Sequence, residues 1–189
     1  MSAAPKSFFQ RFKEGVYIGD FVYGANDGIV TTFAVVAGAT GALLSPGVII
    51  VLGLASLGAD AFSMGASNFL AIRSVKELEK KKKLQNNEEV PRNDVVTPLQ
   101  HGGVTFAAFM VAGTTPLLPY LFLIPSSQQF LISSVLAAVT FFVVGSIRTF
   151  ITGGNFIKAG LEMLLVGGVA AGVAFAIGFG VKTIFGVIL

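Results

Sequence analysis

The sequence contains no cysteine, no tryptophan and a single histidine, and only 12% of its 189 residues are charged. Without cysteine, neither a disulfide nor a thiolate metal site can form. One histidine also excludes a metal site built from several imidazoles of one chain. Soluble domains carry about 25% charged residues, so this chain has too little charge to cover itself with a water-compatible surface. Positions 1–20 lack the apolar stretch that a cleavable signal peptide requires.

Hydrophobic residues, in contrast, make up 53% of the chain, glycine occupies 23 positions, and the mean hydropathy is +0.79. Glycine is enriched in helices that pack closely within lipid. We therefore expect an all-α integral membrane protein. The net charge of +3 does not require a nucleic-acid partner, because basic residues near the ends of membrane helices account for it.

Five apolar stretches are each close to the length that a transmembrane helix needs, which is about 20 residues. They cover residues 21–44, 47–72, 99–123, 128–147 and 159–185. Ser45 and Pro46 suit the cap and the first position of the second helix. Pro116 and Pro119 should bend or break the end of the third helix.

The N-terminal segment 1–20 is predicted to form an amphipathic helix on the membrane surface, because Phe8, Phe12 and Val16 share one helical face. The predicted organisation is one membrane domain in four parts. These are the N-terminal segment 1–20, a transmembrane hairpin at 21–72, a basic cytoplasmic linker at 73–98, and spans three to five at 99–189.

Except for Lys182, the basic residues are distributed on one side. They precede the first stretch, follow the second, and flank the turn between the fourth and fifth, at Lys6, Arg11, Lys13, Arg73, Lys76, Lys80, Lys81, Lys82, Lys83, Arg92, Arg148 and Lys158. The positive-inside rule then predicts a cytoplasmic N-terminus, a cytoplasmic 73–98 segment and an external C-terminus. The distribution does not distinguish a cell membrane from an organelle membrane.

Four carboxylates lie in or near these stretches: Asp20, Asp27, Asp60 and Glu162. Each costs about 2.5–3.5 kcal/mol at a bilayer centre on insertion scales. Asp20 is expected at the hydrated inner edge, and Glu162 close to the start of the fifth helix, where an acid is favoured. Asp27 and Asp60 are expected deep in the membrane.

Polar residues form one stripe on each of the first two helices. The stripes comprise Asp20, Gly24, Asp27 and Thr31, and Ser56, Asp60, Met64, Ser67 and Asn68. Asp27 and Met64 lie at nearly equal distances along the chain on either side of Pro46, which predicts equal depth in an antiparallel hairpin. By the same count Thr31 is level with Asp60, and Tyr23 with Asn68. The alternative for Ser56, Ser67 and Thr31 is a structural hydrogen bond between or within helices.

Asp27 has no evident cationic partner, because the only Lys or Arg within an apolar stretch is the terminal Lys182. Asp27 therefore carries a proton or meets a cation that arrives from outside. A carboxylate oxygen beside the Met64 sulfur suits a borderline transition metal better than Ca²⁺ or Mg²⁺. Burial disfavours a charged carboxylate, so Asp27 could take a proton when the metal leaves. That exchange predicts a proton/metal antiporter.

Two runs resemble the signature of the vacuolar iron transporter family: DGIVTTFAVVAG from Asp27, and ADAFSMGASNFLAIRS from Ala59. PLLPY from Pro116 and GLEMLLVGGVAA from Gly160 are similar to the third and fifth spans of that family. The resemblance implies a five-span homodimer, not an enzyme, with no resident cofactor. It implies export of Fe²⁺, and often Mn²⁺, from the cytosol in exchange for protons, along a path between the subunits.

The family places its membrane metal site on an Asp of the first span and a Met of the second, which correspond here to Asp27 and Met64. Asp60 and Asn68 complete the expected metal group, with Thr31 and Glu162 as accessory residues. The sequence departs from the family in having Asn68 where Glu is frequent. It also has only the short segment 73–98, with Glu77, Glu79, Glu88 and Glu89, in place of a longer metal-binding insert, so no ligands of that insert carry over.

Two glycine motifs, Gly24-x-x-x-Gly28 and Gly168-x-x-x-Gly172, permit close helix contact and weakly favour a dimer. The lysine tract of the linker has two interpretations, a helix continuation near anionic lipid or a solvated segment. For the whole chain, the alternatives to an antiporter are a passive cation channel and a membrane assembly or regulatory subunit whose polar stripes only join helices.

Overall fold

The structure is a computed structural model that describes residues 15–87, 97–122, 124–149 and 153–186. Every regular element in these ranges is helical. The five long helices are α1 (Ile18–Gly41), α2 (Pro46–Gln85), α3 (Pro98–Thr114), α4 (Ser126–Ile147) and α5 (Phe156–Phe185). After α3 the chain passes through a 3-10 turn at Thr115–Leu117 into a last helical turn at Leu118–Leu121.

Local sequence signals account for these helix ends. Ser45 occupies the cap position of α2 with Pro46 as its first residue, as predicted. Thr97 and Gln100 form a reciprocal capping box at the start of α3, and the Asn155 side chain accepts from the first backbone N–H groups of α5. The prediction for Pro116 and Pro119 is confirmed, because α3 loses its regular α geometry at Thr115.

Within the described ranges, four helical segments are long and apolar enough to cross a membrane: Pro46–Gln85, Pro98–Leu121, Ser126–Ile147 and Phe156–Phe185. The chain is therefore a multi-pass membrane protein. α1 falls short of the same hydropathy because it carries Asp20, Asn26 and Asp27. It also packs against each of the other four helices, and a helix shielded by its neighbours needs less apolar surface of its own.

Close packing between α1 and α3 depends on two glycines of α1. A Cβ at Gly28 would lie 2.5 Å from the Phe109 carbonyl oxygen, and one at Gly24 would collide with the Thr105 carbonyl. This first glycine motif is therefore used within the chain rather than at a dimer contact. Gly168 and Gly172 of the second motif have open space at the Cβ position.

The described part of the linker is helical. α2 is 40 residues long and continues unbroken to Gln85, a length of about 60 Å at 1.5 Å per residue. Residues 73–85, predicted as the first half of the linker, thus extend α2. Residues 88–96 lie outside the described residues, as do residues 1–14 of the predicted amphipathic helix, whose residues 15–17 form a turn before α1.

Candidate functional site

The α1–α2 hairpin sets which polar residues face each other. α1 ends at Gly41, and the connection to Pro46 contains Leu43 at φ +58°. Asp27 is as far along the chain from the end of α1 as Asp60 is from the start of α2. The two carboxylates therefore lie at the same level of the hairpin, and we name Asp27 and Asp60 the carboxylate pair.

The observed register differs from the predicted one by about one helical turn. Asn68 bonds to Asp20, whereas the prediction placed it level with Tyr23. Asp60 lies at the level of Asp27 rather than of Thr31, counted from the helix ends at Gly41 and Pro46. The reason is that the residues between Gly41 and Pro46 do not continue either helix, so the hairpin is centred on that connection rather than on Pro46. Met64 is consequently one turn, about 6 Å, from the level at which it was predicted.

The two members of the carboxylate pair have different surroundings. Ser56, one turn earlier on α2, donates a hydrogen bond of 2.6 Å to Asp60 Oδ2. No hydrogen bond or ion pair to the Asp27 carboxylate occurs among the described residues. Both side chains are partly exposed at the surface of a single chain. Asp27 thus keeps two free acceptor oxygens beside a second acid.

Met64 extends the pair along α2. It follows Asp60 by one helical turn, so the two share one helical face. Its side chain is partly buried against the apolar core. A thioether on the same face as two carboxylates is a mixed sulfur and oxygen donor set, which fits a borderline transition metal.

A second group of polar side chains, the Asp20 network, lies two turns from the carboxylate pair along α1. It comprises Asp20, Asn68, His101 and Thr105. His101 Nδ1 is 2.5 Å from Asp20 Oδ2. The Asn68 Nδ2 donates to Asp20 Oδ1 and to Thr105 Oγ1, each at 2.7 Å, and Thr105 donates to the His101 carbonyl at 3.2 Å. The network therefore joins α1, α2 and α3.

This arrangement corrects the prediction for Asp20. Its side chain is only 13% exposed, so it is enclosed rather than hydrated at the inner edge. The cause is His101, 81 positions later in the chain, which sequence spacing along α1 does not reveal. The presence of a single histidine at the start of the third span was the one signal that could have indicated it.

The remaining predicted residues make structural contacts. Thr31 donates 2.8 Å to the Asp27 backbone carbonyl, one turn earlier, as the structural alternative expected. Glu162 pairs with Arg148 and so joins α5 to the end of α4. Both side chains of that pair are about half exposed. Glu162 makes no contact with the carboxylate pair among the described residues.

No three His, Asp or Glu side chains converge into a metal site anywhere in the described ranges. Asp60 and Met64 share one face of α2, and Asp27 lies at the level of Asp60 on the neighbouring helix α1. Such a group can bind a cation weakly by itself, and more tightly if further donors approach the same face.

The chain is similar to known proteins of one family. The VIT family model matches residues 18–97 and 84–179. Vacuolar iron transporter 1 of Eucalyptus grandis is 22% identical over 222 residues, covering 91% of this chain and 89% of that protein. The vacuolar iron transporter of Toxoplasma gondii is 27% identical, covering 86% and 73%. Vacuolar iron transporter homolog 1 of Arabidopsis thaliana is 27% identical over 172 residues, covering 89% and 85%.

Proposed function

The chain belongs to the VIT family, and from this premise we propose that it is a secondary transporter of divalent transition metal. It moves Fe²⁺ or Mn²⁺ out of the cytosol in exchange for protons, along a path between two copies of the chain. Its relatives are named vacuolar iron transporters, which supports metal transport over enzymatic activity. The metal is the transported substrate, and no resident cofactor is part of the proposal.

The carboxylate pair is the observation that carries this proposal. A structural acid inside a membrane needs a cation or a set of donors to offset its cost. Asp60 has the Ser56 hydroxyl, but Asp27 faces another acid and has no donor among the described residues. A visiting divalent cation supplies the missing positive charge, and it neutralises both acids at once.

The proton half of the exchange follows from the chemistry of these ligands. A metal binds the deprotonated form of a carboxylate, so its binding releases protons and its departure allows them to return. Asp27, with both oxygens free, is the proposed proton-coupling residue. Met64 adds a soft ligand that favours Fe²⁺ over Mg²⁺.

A second copy of the chain would complete the site. One chain supplies only two carboxylates and one thioether, whereas octahedral sites of these metals take six donors. The surface of α2 beside Asp60 is formed by small exposed residues, Ala59, Ser63 and Ser67, which permit close helix contact. A two-fold dimer across this face would bring two carboxylate pairs together. Asn68 is left out of the proposed set, because its NH2 group donates to Asp20 and Thr105 and so holds the side chain within the Asp20 network.

The orientation rests on charge. Five spans, with α1 as the first, place Lys76 and the Lys80–Lys83 tract on one side together with Arg148 and Lys158. The positive-inside rule assigns that side to the cytosol. Residues 73–85 would then be a helical cytoplasmic extension of the second span.

Purified protein in proteoliposomes tests the proposal. We expect Fe²⁺ or Mn²⁺ uptake that rises with an imposed pH gradient, is accompanied by proton movement in the opposite direction, and is abolished in Asp27→Ala. Metal flux without proton movement would instead indicate a channel. Absence of flux with any transition metal would indicate an assembly subunit. Asp27→Ala with wild-type flux would exclude the proposed site.

A further inference from the structure

Arg148, the residue that follows α4, lines two cavities. The first, the α4–α5 cavity, has a volume of about 300 Å³ and is also lined by Lys158 and Glu162. The second, the α1 groove, has a volume of about 430 Å³ and is lined by the start of α1, including Ile18 and Val22. Because one side chain belongs to both, a single elongated ligand could contact both cavities.

The α4–α5 cavity is positively charged. Of the charged residues that line it, Arg148 and Lys158 are basic and Glu162 is acidic. Glu162 pairs with Arg148, and both side chains are about half exposed. The Lys158 ammonium group has no hydrogen bond or ion pair among the described residues. A guanidinium binds a phosphate through paired hydrogen bonds, and a lysine adds a point charge, so this cavity suits a phosphate group.

The basic side chains, and not the start of α5, would hold such a group. The Asn155 side chain already accepts from the backbone N–H groups of Ile157 and Lys158, at 3.0 and 3.2 Å. These two donors are therefore used within the chain. Binding of a phosphate would depend on the cations at Arg148 and Lys158, which substitution can remove.

The α1 groove has a different character. Ile18, Val22 and Asn26 are spaced by four residues and so line it from one face of α1. They extend over about 12 Å of the helix. Tyr23, which is 62% exposed, also lines the groove, and tyrosine is frequent where a membrane protein meets the lipid headgroups. An extended apolar chain lying along α1 would fit this shape.

Both cavities lie at one end of the helix bundle, where α1 begins, α4 ends and α5 begins. They are thus expected at the membrane surface and not at its centre. The positive-inside rule assigns this end to the cytosolic leaflet, which contains the anionic lipids. Basic pockets between membrane helices on that side commonly bind anionic lipid headgroups.

We propose that the two cavities together bind one anionic phospholipid. Its phosphate lies between Arg148 and Lys158, and one acyl chain lies in the α1 groove. A zwitterionic lipid binds less well, because its headgroup carries a cation that the two basic side chains repel. The bound lipid connects α1 to the ends of α4 and α5. This proposal concerns lipid binding alone and does not depend on metal transport.

Two substitutions test the headgroup and the acyl chain separately. Lys158→Gln removes one cation and breaks no described side-chain contact. Gly19→Leu places a side chain in the α1 groove, which Gly19 lines, and a Cβ there would meet no atom within 4 Å. The matched controls are Lys182→Gln and Gly180→Leu near the other end of α5, and the Cβ position of Gly180 is likewise open.

Native mass spectrometry of the purified protein measures the bound lipid during titration with phosphatidylglycerol or phosphatidylcholine of the same acyl chains. We expect the wild type to prefer phosphatidylglycerol by about fivefold or more. Lys158→Gln should bind phosphatidylglycerol about fivefold more weakly, which is the contribution of one lysine near a membrane, and phosphatidylcholine as before. Gly19→Leu should weaken binding of both lipids. Both controls should match the wild type.

Three results would overturn the proposal. The first is equal affinity of the wild type for the two lipids, as expected if a second copy or another part of the chain covered the α1 groove. The second is an equal effect of Lys158→Gln and Lys182→Gln, which would indicate general attraction to anionic lipid. The third is displacement of phosphatidylglycerol by inorganic phosphate at a similar concentration, which would indicate a site for soluble phosphate.

Discussion

The carboxylate pair and the Asp20 network are both polar groups inside an apolar helix bundle, yet their bonding differs. In the network, each oxygen of Asp20 has a partner, and the contacts cross three helices. In the pair, Asp27 has no donor among the described residues, and it lies level with a second acid. The protein itself supplies a partner for both oxygens of Asp20, whereas the described residues supply none for the Asp27 carboxylate.

Polar side chains within a membrane can either join helices or be available to bind another species. Hydrogen bonds between membrane helices contribute about 0.6 kcal/mol on average, so the network joins helices at a modest gain. An acid without a partner costs more than such bonds return. We therefore propose that a residue like Asp27 serves binding rather than folding. Substitutions that separate metal affinity from stability can test the distinction.

The largest effect is expected for Asp27→Asn, which keeps the shape of the side chain and removes its charge. Metal affinity should fall by about 100-fold or more, since loss of outer partners alone costs 10- to 100-fold. The thermal midpoint of the metal-free protein should not fall, because no contact is lost. Calorimetric titration with Mn²⁺ and a thermal unfolding scan measure the two quantities. Thr31→Val, one turn away, is the matched control.

Asp60→Asn is the next largest. The Asp60 carboxylate lies level with Asp27 but already accepts a hydrogen bond from the Ser56 hydroxyl. Asp60 therefore gains less from a bound cation than Asp27 does. We expect a loss of metal affinity of about 10-fold and a small rise in the midpoint of the metal-free protein, because a like-charge repulsion is removed. A lower thermal midpoint together with unchanged metal affinity would mean that Asp60 stabilises the fold and does not bind metal.

The network should respond in the opposite way. Asn68→Leu removes both bonds from α2 to Asp20 and Thr105, and it should lower stability by about 1 kcal/mol. Metal affinity at neutral pH should stay within about twofold of the wild type. Reversible unfolding in mixed detergent gives the stability, with Ser67→Ala, an exposed neighbour on α2, as the control. A large loss of affinity would show that Asn68 is a metal ligand after all.

The smallest effect is expected for Met64→Leu, a substitution of similar volume that removes the sulfur. Total stability should hardly change, while the preference for Fe²⁺ over Mg²⁺ should fall on the order of threefold, which is below about 1 kcal/mol. Competition binding with the two ions measures this ratio. An unchanged ratio would remove Met64 from the proposed ligands.

Much of the fold could be predicted from the sequence. Apolar length gives the helices, and Ser45–Pro46 and Pro116 mark their ends, because capping and proline geometry act locally. The carboxylate pair is on the predicted faces of α1 and α2. The prediction of which residues lie level across the hairpin was wrong by one turn. The sequence from Ala42 to Ser45 gives no sign that both helices end outside this segment.

The Asp20 network illustrates what spacing along a helix cannot show. Asp20 and His101 are 81 positions apart, and their contact depends on how closely α1 and α3 approach. That approach is possible because Gly24 and Gly28 lack side chains at the crossing. The glycines were recognised as close-contact residues, but the partner helix could be identified only from the packed structure.

The unbroken length of α2 has a mechanical consequence. The part of the helix from Asp60 to its end at Gln85 is a lever arm of about 38 Å. A tilt of about 10° at the proposed metal site would move the lysine-bearing end of α2 by roughly 7 Å. A small tilt of α2 within the bilayer would therefore produce a larger displacement of its end outside the bilayer.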